Sequence, residues 1–297
     1  MGIVNTPLVS VVVATYNMAR YLPSAIRSVL EQTYPALEVL VIDDGSTDDT
    51  RTAIQPLLDD RRVRYLAQEN QGQAGAKNRG VLEAKGEYVA FLDADDLWHR
   101  DKLTHQIPLF YGRERVGVVY SRYLEIDEAG RQIAVSDNKL FRGHISGPLL
   151  IFNFIAFGTT VAKRECFERL GLFDEELGMG IDYDLWLRFS TQYEFDYVDL
   201  PLLQYRVWLG QMSNNCKRRY LNGIATMKRF LETHPGLVDK KTENEAWAHT
   251  YVGLGRCLRS VERRAIPAFR EYLRALSYNP AYLPAWKAIA KACVGRY

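Results

Sequence analysis

Leu8 to Ala14 (LVSVVVA) form a continuous, mainly β-branched run, the pattern of a strand buried on both faces. Tyr21, Leu22, Ala25, Ile26, Val29 and Leu30 then recur at helical spacing until Tyr34-Pro35, a helix stopped by proline. Leu37 to Ile42 (LEVLVI) predicts a second buried strand, followed by a helix to about Leu58 and a short strand at Val63 to Leu66. A helix over Ala74 to Ala84 leads through Gly86 into a strand at Tyr88 to Leu92. Strands that alternate with helices in this way predict a parallel sheet. In such sheets ligands bind beyond the carboxyl ends of the strands. The polar clusters fall at those ends: Thr15-Tyr16-Asn17, Asp43-Asp44 and Asp93 to Asp96.

The middle of the chain is more mixed. Val116 to Leu124 and Gln132 to Val135 flank Asp127-Glu128-Ala129-Gly130-Arg131, which reads as a hairpin. Thr159 to Ala162, Phe195 to Val198 and Leu203 to Val207 read as short strands, with helices near Arg164 to Leu170 and Asp182 to Gln192. After Cys216 only helical periodicity remains, at Tyr220 to Leu231, Ala246 to Leu258, Ala265 to Leu276 and Tyr282 to Ala292. The spacing of Ala268, Tyr272, Ala275 and Pro280 is similar to one helix of a tetratricopeptide-type repeat, although any packed helical hairpin needs small residues at its crossings. The pattern divides the chain into an α/β domain over 1–215 and a helical extension over 216–297, TPR-like in that one feature. Within the first domain, 1–96 is the regularly alternating half and 97–215 the mixed half.

Composition changes this picture little. Hydrophobic residues make up 47% and charged residues 25% of 297 positions, enough apolar surface for a real core. A formal charge of +2 gives no argument for a nucleic-acid partner. Cys166, Cys216, Cys257 and Cys293 lie far apart with no CxxC pair, and read as reduced thiols of a cytosolic protein. No signal peptide or run of about 18 apolar residues is seen. Met1 to Thr6 fit the loose myristoylation pattern, but also read as a tail before a strand. The histidines show no pairing that suggests zinc, and no GxSxG or P-loop sequence occurs.

Asp93-Ala94-Asp95-Asp96 carries the chemistry. Three carboxylates in four residues repel unless solvent or a cation relieves them, and Mg²⁺ or Mn²⁺ with a substrate diphosphate would do so. The competing reading is a solvated turn in which Asp96 caps the next helix. Asp44 can accept hydrogen bonds from a ribose or base edge, while Asp48 and Asp49 suit a helix N-terminus. Gln71 to Gly80 (QGQAGAKNRG) opens a helix, so its amides with Lys77 or Arg79 could face a diphosphate. The same small residues equally suit tight helix–sheet packing.

VSVVVATYN, VIDDGSTDDT, GQAGAKNRG and FLDADD stand in the order and at the spacings of the inverting family 2 glycosyltransferases, which they resemble. The resemblance covers roughly the first 210 residues. It implies a GT-A nucleotide-diphospho-sugar transferase fold, a Rossmann-like mixed sheet flanked by helices. It further implies that Thr15 and Asp44 line a nucleoside pocket, that Asp93 approaches the ribose and that Asp95 ligates Mn²⁺ or Mg²⁺. Tyr16, Asn17, Lys77 and Ala94 belong to the same nucleotide-binding set. Gly171 to Glu176 (GLFDEE) and Ile181 to Arg188 (IDYDLWLR) resemble the family's GxFDE loop and the helix start bearing its base. Asp182 aligns with that base, and Asp184 is the alternative. A carboxylate opposite the leaving group, taking the acceptor's proton, is what an inverting displacement needs.

Two positions depart from the family. Ile181 stands where a glutamate is usual, and Trp208 stands at the histidine of a YRxHxxxxS stretch, here Tyr205 to Ser213. Arg206 could compensate for the histidine, and Trp208 could instead offer a sugar an aromatic face or simply pack; Asp96, Arg206 and Trp208 are thus further candidate contacts for donor or acceptor. The family implies a nucleotide-sugar donor and a carbohydrate or lipid-linked acceptor in polysaccharide or glycolipid assembly. Work in the cytoplasm, at the inner face of a membrane, would use the basic C-terminal helices (Lys217, Arg218, Arg219, Arg259, Arg263, Arg264), although such charges also suit a solvated face. Those helices could instead contact a protein. A degenerate scaffold and a nucleotidyltransferase are the alternative readings. The latter should carry a glycine-rich basic loop after the first strand, where this chain has Thr15-Tyr16-Asn17.

Overall fold

The computed structural model describes residues 6–211 and 214–293. The amino-terminal acylation pattern, the Ser213 end of the Tyr205–Ser213 stretch and the side chain of Cys293 lie outside the described residues. In chain order the elements are β1 (Val9–Thr15), α1 (Leu22–Leu30), β2 (Leu37–Asp43), α2 (Thr50–Ile54), β3 (Val63–Ala67), α3 (Gly72–Glu83), β4 (Tyr88–Phe91), β5 (Leu97–Trp98) and α4 (Lys102–Gln106). There follow β6 (Val116–Ile126), β7 (Gln132–Val135), α5 (Ser146–Ile151), β8 (Val161–Lys163), α6 (Arg164–Leu170), α7 (Ile181–Ser190) and β9 (Glu194–Arg206). The last four are α8 (Cys216–Thr233), α9 (Lys240–Ser260), α10 (Ala265–Tyr278) and α11 (Leu283–Cys293).

Contacts divide the chain into two compact units. The first takes in the described residues up to Gly143, with Phe154–Leu185 and Gln192–Trp208; the second takes in His144–Asn153, Trp186–Thr191 and the described residues from Leu209 onward.

A mixed sheet, ordered β3-β2-β1-β4-β8-β6-β9-β5 with β7 on β6, forms the first unit. β1 to β4 are parallel, as their alternation with helices predicted. β1 and β2 have every residue buried except Ala14, which accounts for their unbroken apolar runs. β8 joins β4 antiparallel, β6 joins β8 antiparallel, and β6 runs parallel to β9. The expected hairpin is present as β6 and β7. Mixed sheet, flanking helices and the helical region that follows all agree with expectation.

Three details differ. Phe195–Val198 and Leu203–Arg206 belong to one strand, β9, whose continuity is hidden by Asp199 and Pro201. Pro201 lies where the β6–β9 register shifts, a bulge being where a strand tolerates the missing N–H. The helix after β2 ends at Ile54 and tightens to a 3₁₀ turn over Gln55–Leu57, since Pro56 cannot donate within it. Thr159 ends another 3₁₀ turn, so the strand expected from there begins at Val161.

The reading of four separate thiols is corrected. Cys216 and Cys257 form a disulfide with Cα atoms 6.1 Å apart, whereas Cys166 is buried and free. A separation of 41 residues hid the pair, because only the antiparallel docking of α8 on α9 brings these ends together. Gly253 of α9 permits that docking, and Gly255 permits the approach of α10. A methyl group at the first would strike the Tyr220 ring of α8, and at the second the Tyr272 ring of α10.

One buried charge falls outside any expectation. Lys102 of α4 is wholly inaccessible. Its Nζ donates to Gln106 Oε1 (2.6 Å) and lies 4.2 Å from the centre of the Trp98 ring, and no carboxylate among the described residues pairs with it. Burial holds its pKa well below the ordinary 10.5. The unfolded chain therefore binds this proton more tightly, and Lys102 costs stability increasingly as pH falls from 10.5 toward the folded value. Lys102→Met should consequently gain most over the parent at neutral pH, with the gap in urea unfolding free energy closing as pH approaches 10.5. A gap independent of pH would show that the amine titrates as it does in water.

Candidate functional site

The parallel register places the polar clusters side by side. Thr15 pairs with Asp43 across β1 and β2, and the Asp44 N–H donates to Thr15 O (2.9 Å). The two neighbouring aspartates then serve different partners. Asp43 accepts from the Ser46 N–H (2.8 Å) and the Tyr65 hydroxyl, fastening its own turn. Asp44 accepts from Gln68 Nε2 and the Gln71 N–H, both 2.8 Å and both at Oδ1. Thr15 is buried with Oγ1 unpartnered, an orphan at the strand tip that a ligand could satisfy.

Asn17 joins the β1–α1 and β2–α2 loops. Its backbone is left-handed, with φ 54°, a conformation that asparagine tolerates better than most residues. Its side-chain oxygen accepts from the Thr47 N–H and hydroxyl and the Asp48 N–H, while its own N–H donates to Ser46 Oγ. Asp48 in turn accepts from the Ala19 and Thr50 N–H groups. Tyr16, between these anchors, is 47% exposed.

α3 delivers one cation to the edge of the sheet. Lys77 is buried, 3.1 Å from Asp93 Oδ1 and 3.9 Å from the centre of the Phe157 ring. Arg79 instead donates to Ala67 O at the end of β3 (2.7 Å), so the two basic residues of this helix separate cleanly. Asn78, which sequence reasoning passed over, ties α3 to the GLFDEE loop. It donates to Phe173 O and Glu175 Oε1 and accepts from the Phe173 N–H. An amide between two basic residues gives no periodic signal that would have revealed this.

Beyond β4 the acidic cluster divides its work. Ala94 is buried. Asp95 Oδ2 accepts from the Trp208 indole N–H (2.7 Å). Asp96 is 1% exposed; its Oδ1 accepts from the Arg206 N–H (2.8 Å), and its Oδ2 has no partner. It does not cap a helix, because the chain continues into β5 and α4 begins only at Lys102. The Arg206 guanidinium is committed to scaffolding. Nε donates to Asp95 O (2.8 Å) and Nη1 to Asp127 O and Glu128 O, above the ring of Tyr21. Trp208 lies 6.0 Å from that same ring.

This crowding has an electrostatic result. Burial, reinforced by Asp93, raises the Asp95 pKa. Burial, with Asp95 and Asp93 adding to it, pushes Asp96 well above the usual carboxylate range. Lys77 faces Asp93, and the Arg206 guanidinium lies close enough to Asp95 and Asp96 to relieve only part of the mutual repulsion of the three carboxylates. The donors are all oxygen, as a hard divalent cation prefers. No group of three or more metal-ligating side chains gathers among the described residues. The residues present therefore fit a cation that takes most of its ligands from elsewhere, such as a diphosphate. Asp182, half-buried, and Asp184, buried, stand in the first turn of α7, a different element of the same compact unit.

The comparisons agree with this geometry. A model of "Glycosyl transferase family 2" matches residues 10–171. A Rickettsia felis glycosyltransferase is 31% identical over 77% of this chain, an alignment that spans 38% of that protein's length. Escherichia coli UDP-Glc:alpha-D-GlcNAc-diphosphoundecaprenol beta-1,3-glucosyltransferase WfaP is 34% identical over 70% of this chain and 80% of its own. Among solved structures, S. aureus TarS 1–349 has a TM-score of 0.68 at 16% identity, over 98% of this chain and 92% of that one. The Pyrobaculum calidifontis mannosyltransferase PcManGT, in complex with GDP-Man and Mn²⁺, has 0.60 at 21%, over 99% and 89%. Those identities speak for the fold alone, a GT-A glycosyltransferase fold. With the family matched over more than half its length and its strand-end motifs assembled on one edge of the sheet, this chain belongs to glycosyl transferase family 2.

Proposed function

We propose that this chain is an inverting, metal-assisted glycosyltransferase that moves a sugar from a nucleoside-diphosphate donor to an acceptor hydroxyl. A single observation carries the reading: Thr15, Asp44, the Lys77–Asp93 pair and Asp95 meet at the carboxyl ends of β1, β2 and β4. The names of similar proteins support it, since WfaP uses UDP-Glc with a diphosphoundecaprenol-linked acceptor and PcManGT was seen with GDP-Man and Mn²⁺. The acceptor proposed here is a carbohydrate or lipid-linked glycan, and the work is done at the cytoplasmic face of a membrane. Residues 1–96 would hold the nucleotide, 97–215 the acceptor, and 216–297 would form an appended helical region.

In this reading Asp44 and the orphan hydroxyl of Thr15 receive the nucleoside, and Asp93 the ribose. Lys77 shares its charge between Asp93 and the diphosphate. Asp95 and the donor's phosphates would hold Mn²⁺ or Mg²⁺, which stabilises the charge of the leaving diphosphate when bound. Trp208 keeps one oxygen of Asp95 and thereby orients the other. Asp182 takes the proton of the acceptor hydroxyl as that oxygen bonds to the anomeric carbon, and the bond from that carbon to the diphosphate breaks. Asp184 is the alternative base.

Thermal shifts with UDP and GDP, each with and without Mn²⁺, test the donor side, since ligand binding raises apparent stability. Asp95→Asn should abolish the metal-dependent part of the shift, and an unchanged shift would remove Asp95 from the metal site. Trp208→Phe should reduce that part without abolishing it. Asp182→Asn should keep the shift and lower turnover by about a hundred- to ten-thousand-fold; retained turnover would transfer the role to Asp184.

A further inference from the structure

Two helices of the second unit carry apolar side chains on both faces. α10 buries Ala268, Tyr272 and Ala275. On its opposite face, at the i, i+3, i+7 spacing of one helical stripe, it exposes Ile266 (72%), Phe269 (37%) and Leu273 (49%). α11 repeats the plan. Ala285 and Ala288 are buried, while Leu283 (59%) and Trp286 (52%) face outward. A helix that only packs against its neighbours puts its bulky apolar residues inside, so these outward faces have a use of their own.

Charge identifies the partner. Arg270 follows Phe269 on α10 as Lys287 follows Trp286 on α11, with Lys291 one turn further on; Arg274 lies instead over the Tyr251 ring of α9, 4.7 Å from its centre. α11 contains no acidic residue, and the one carboxylate of α10, Glu271, is turned toward the buried side with Oε2 inaccessible. The start of α10 and the end of α11 meet around a cavity of about 380 Å³ lined by Ala265, Ile266, Phe269, Arg270 and Ala292. Apolar and aromatic side chains beside lysine and arginine, with no outward carboxylate on either helix, suit the boundary between acyl chains and anionic headgroups. No helix among the described residues is long and apolar enough to cross a membrane, so the element lies on the surface.

We propose that the outward faces of α10 and α11 seat this chain on an anionic lipid bilayer. Phe269 and Trp286 enter the boundary layer, and Arg270, Lys287 and Lys291 meet the headgroups. The purpose, access to a lipid-linked acceptor, rests on the transferase reading. The binding does not, and it is measured without donor or acceptor, so failure of either leaves the other standing.

The test is flotation of the full chain with vesicles of phosphatidylcholine alone or mixed with phosphatidylglycerol. Binding is expected only to the mixed vesicles, weakening with salt, together with a blue shift of indole emission that Trp286→Phe removes. Phe269→Glu combined with Trp286→Glu should abolish flotation. Arg270→Ala combined with Lys287→Ala should weaken partition about 10- to 30-fold. All four side chains are exposed, and an unchanged Tm confirms folding. Absence of flotation, or equal flotation of the doubly acidic variant, overturns the proposal. A solution dimer that the acidic pair converts to monomer also overturns it and assigns the face to a second copy.

Discussion

The union of Asp96 with Arg206 is the constraint on which the first unit depends. Asp96 follows the end of β4 and Arg206 closes β9. A buried carboxylate is tolerated only where hydrogen bonds repay its lost hydration, and Asp96 obtains one from the Arg206 backbone. The Arg206 side chain then stitches the acidic loop to the turn at Asp127 and Glu128. With β8 and the pairing of β5 on β9, this knot ties the parallel half of the sheet to the β6–β9 half.

That knot also separates two kinds of acidic residue. Asp43, Asp48 and Asp96 are occupied in holding backbone, whereas Asp44, Asp93 and Asp95 keep carboxylate capacity at the edge of the sheet. Asn17 belongs with the first group: its oxygen serves two loop amides and a hydroxyl before any ligand arrives. A site of charged groups needs such neutral supports, because orientation, more than charge, decides what a polar group can do.

How much of this was legible follows from the range of the interactions. β1 to β4, α3 and the acidic strand ends are local patterns, and each was read from a window of a few residues. Arg206 read as a stand-in for the missing histidine and a candidate ligand contact, and only folding shows its donors committed to carbonyls far away in sequence. The same holds for β9, continuous through its bulge at Pro201, and for the Cys216–Cys257 pair. Lys102 was invisible for the opposite reason. One lysine in a helix beginning reads as solvated, and nothing local announces that the sheet will cover it. The α10 and α11 stripes were periodic and visible as helices, but periodicity cannot say which of two apolar faces turns inward.

Asp96 and Arg206 are 110 residues apart, and this bears on synthesis. A ribosome that has released only β1 to β4 and the acidic loop after them has delivered Asp44, Asp93 and Asp95 but not β9. The acidic loop must wait for β9, so the candidate site is completed near the end of translation of the first unit. Partial chains would carry the motifs without the means to position them.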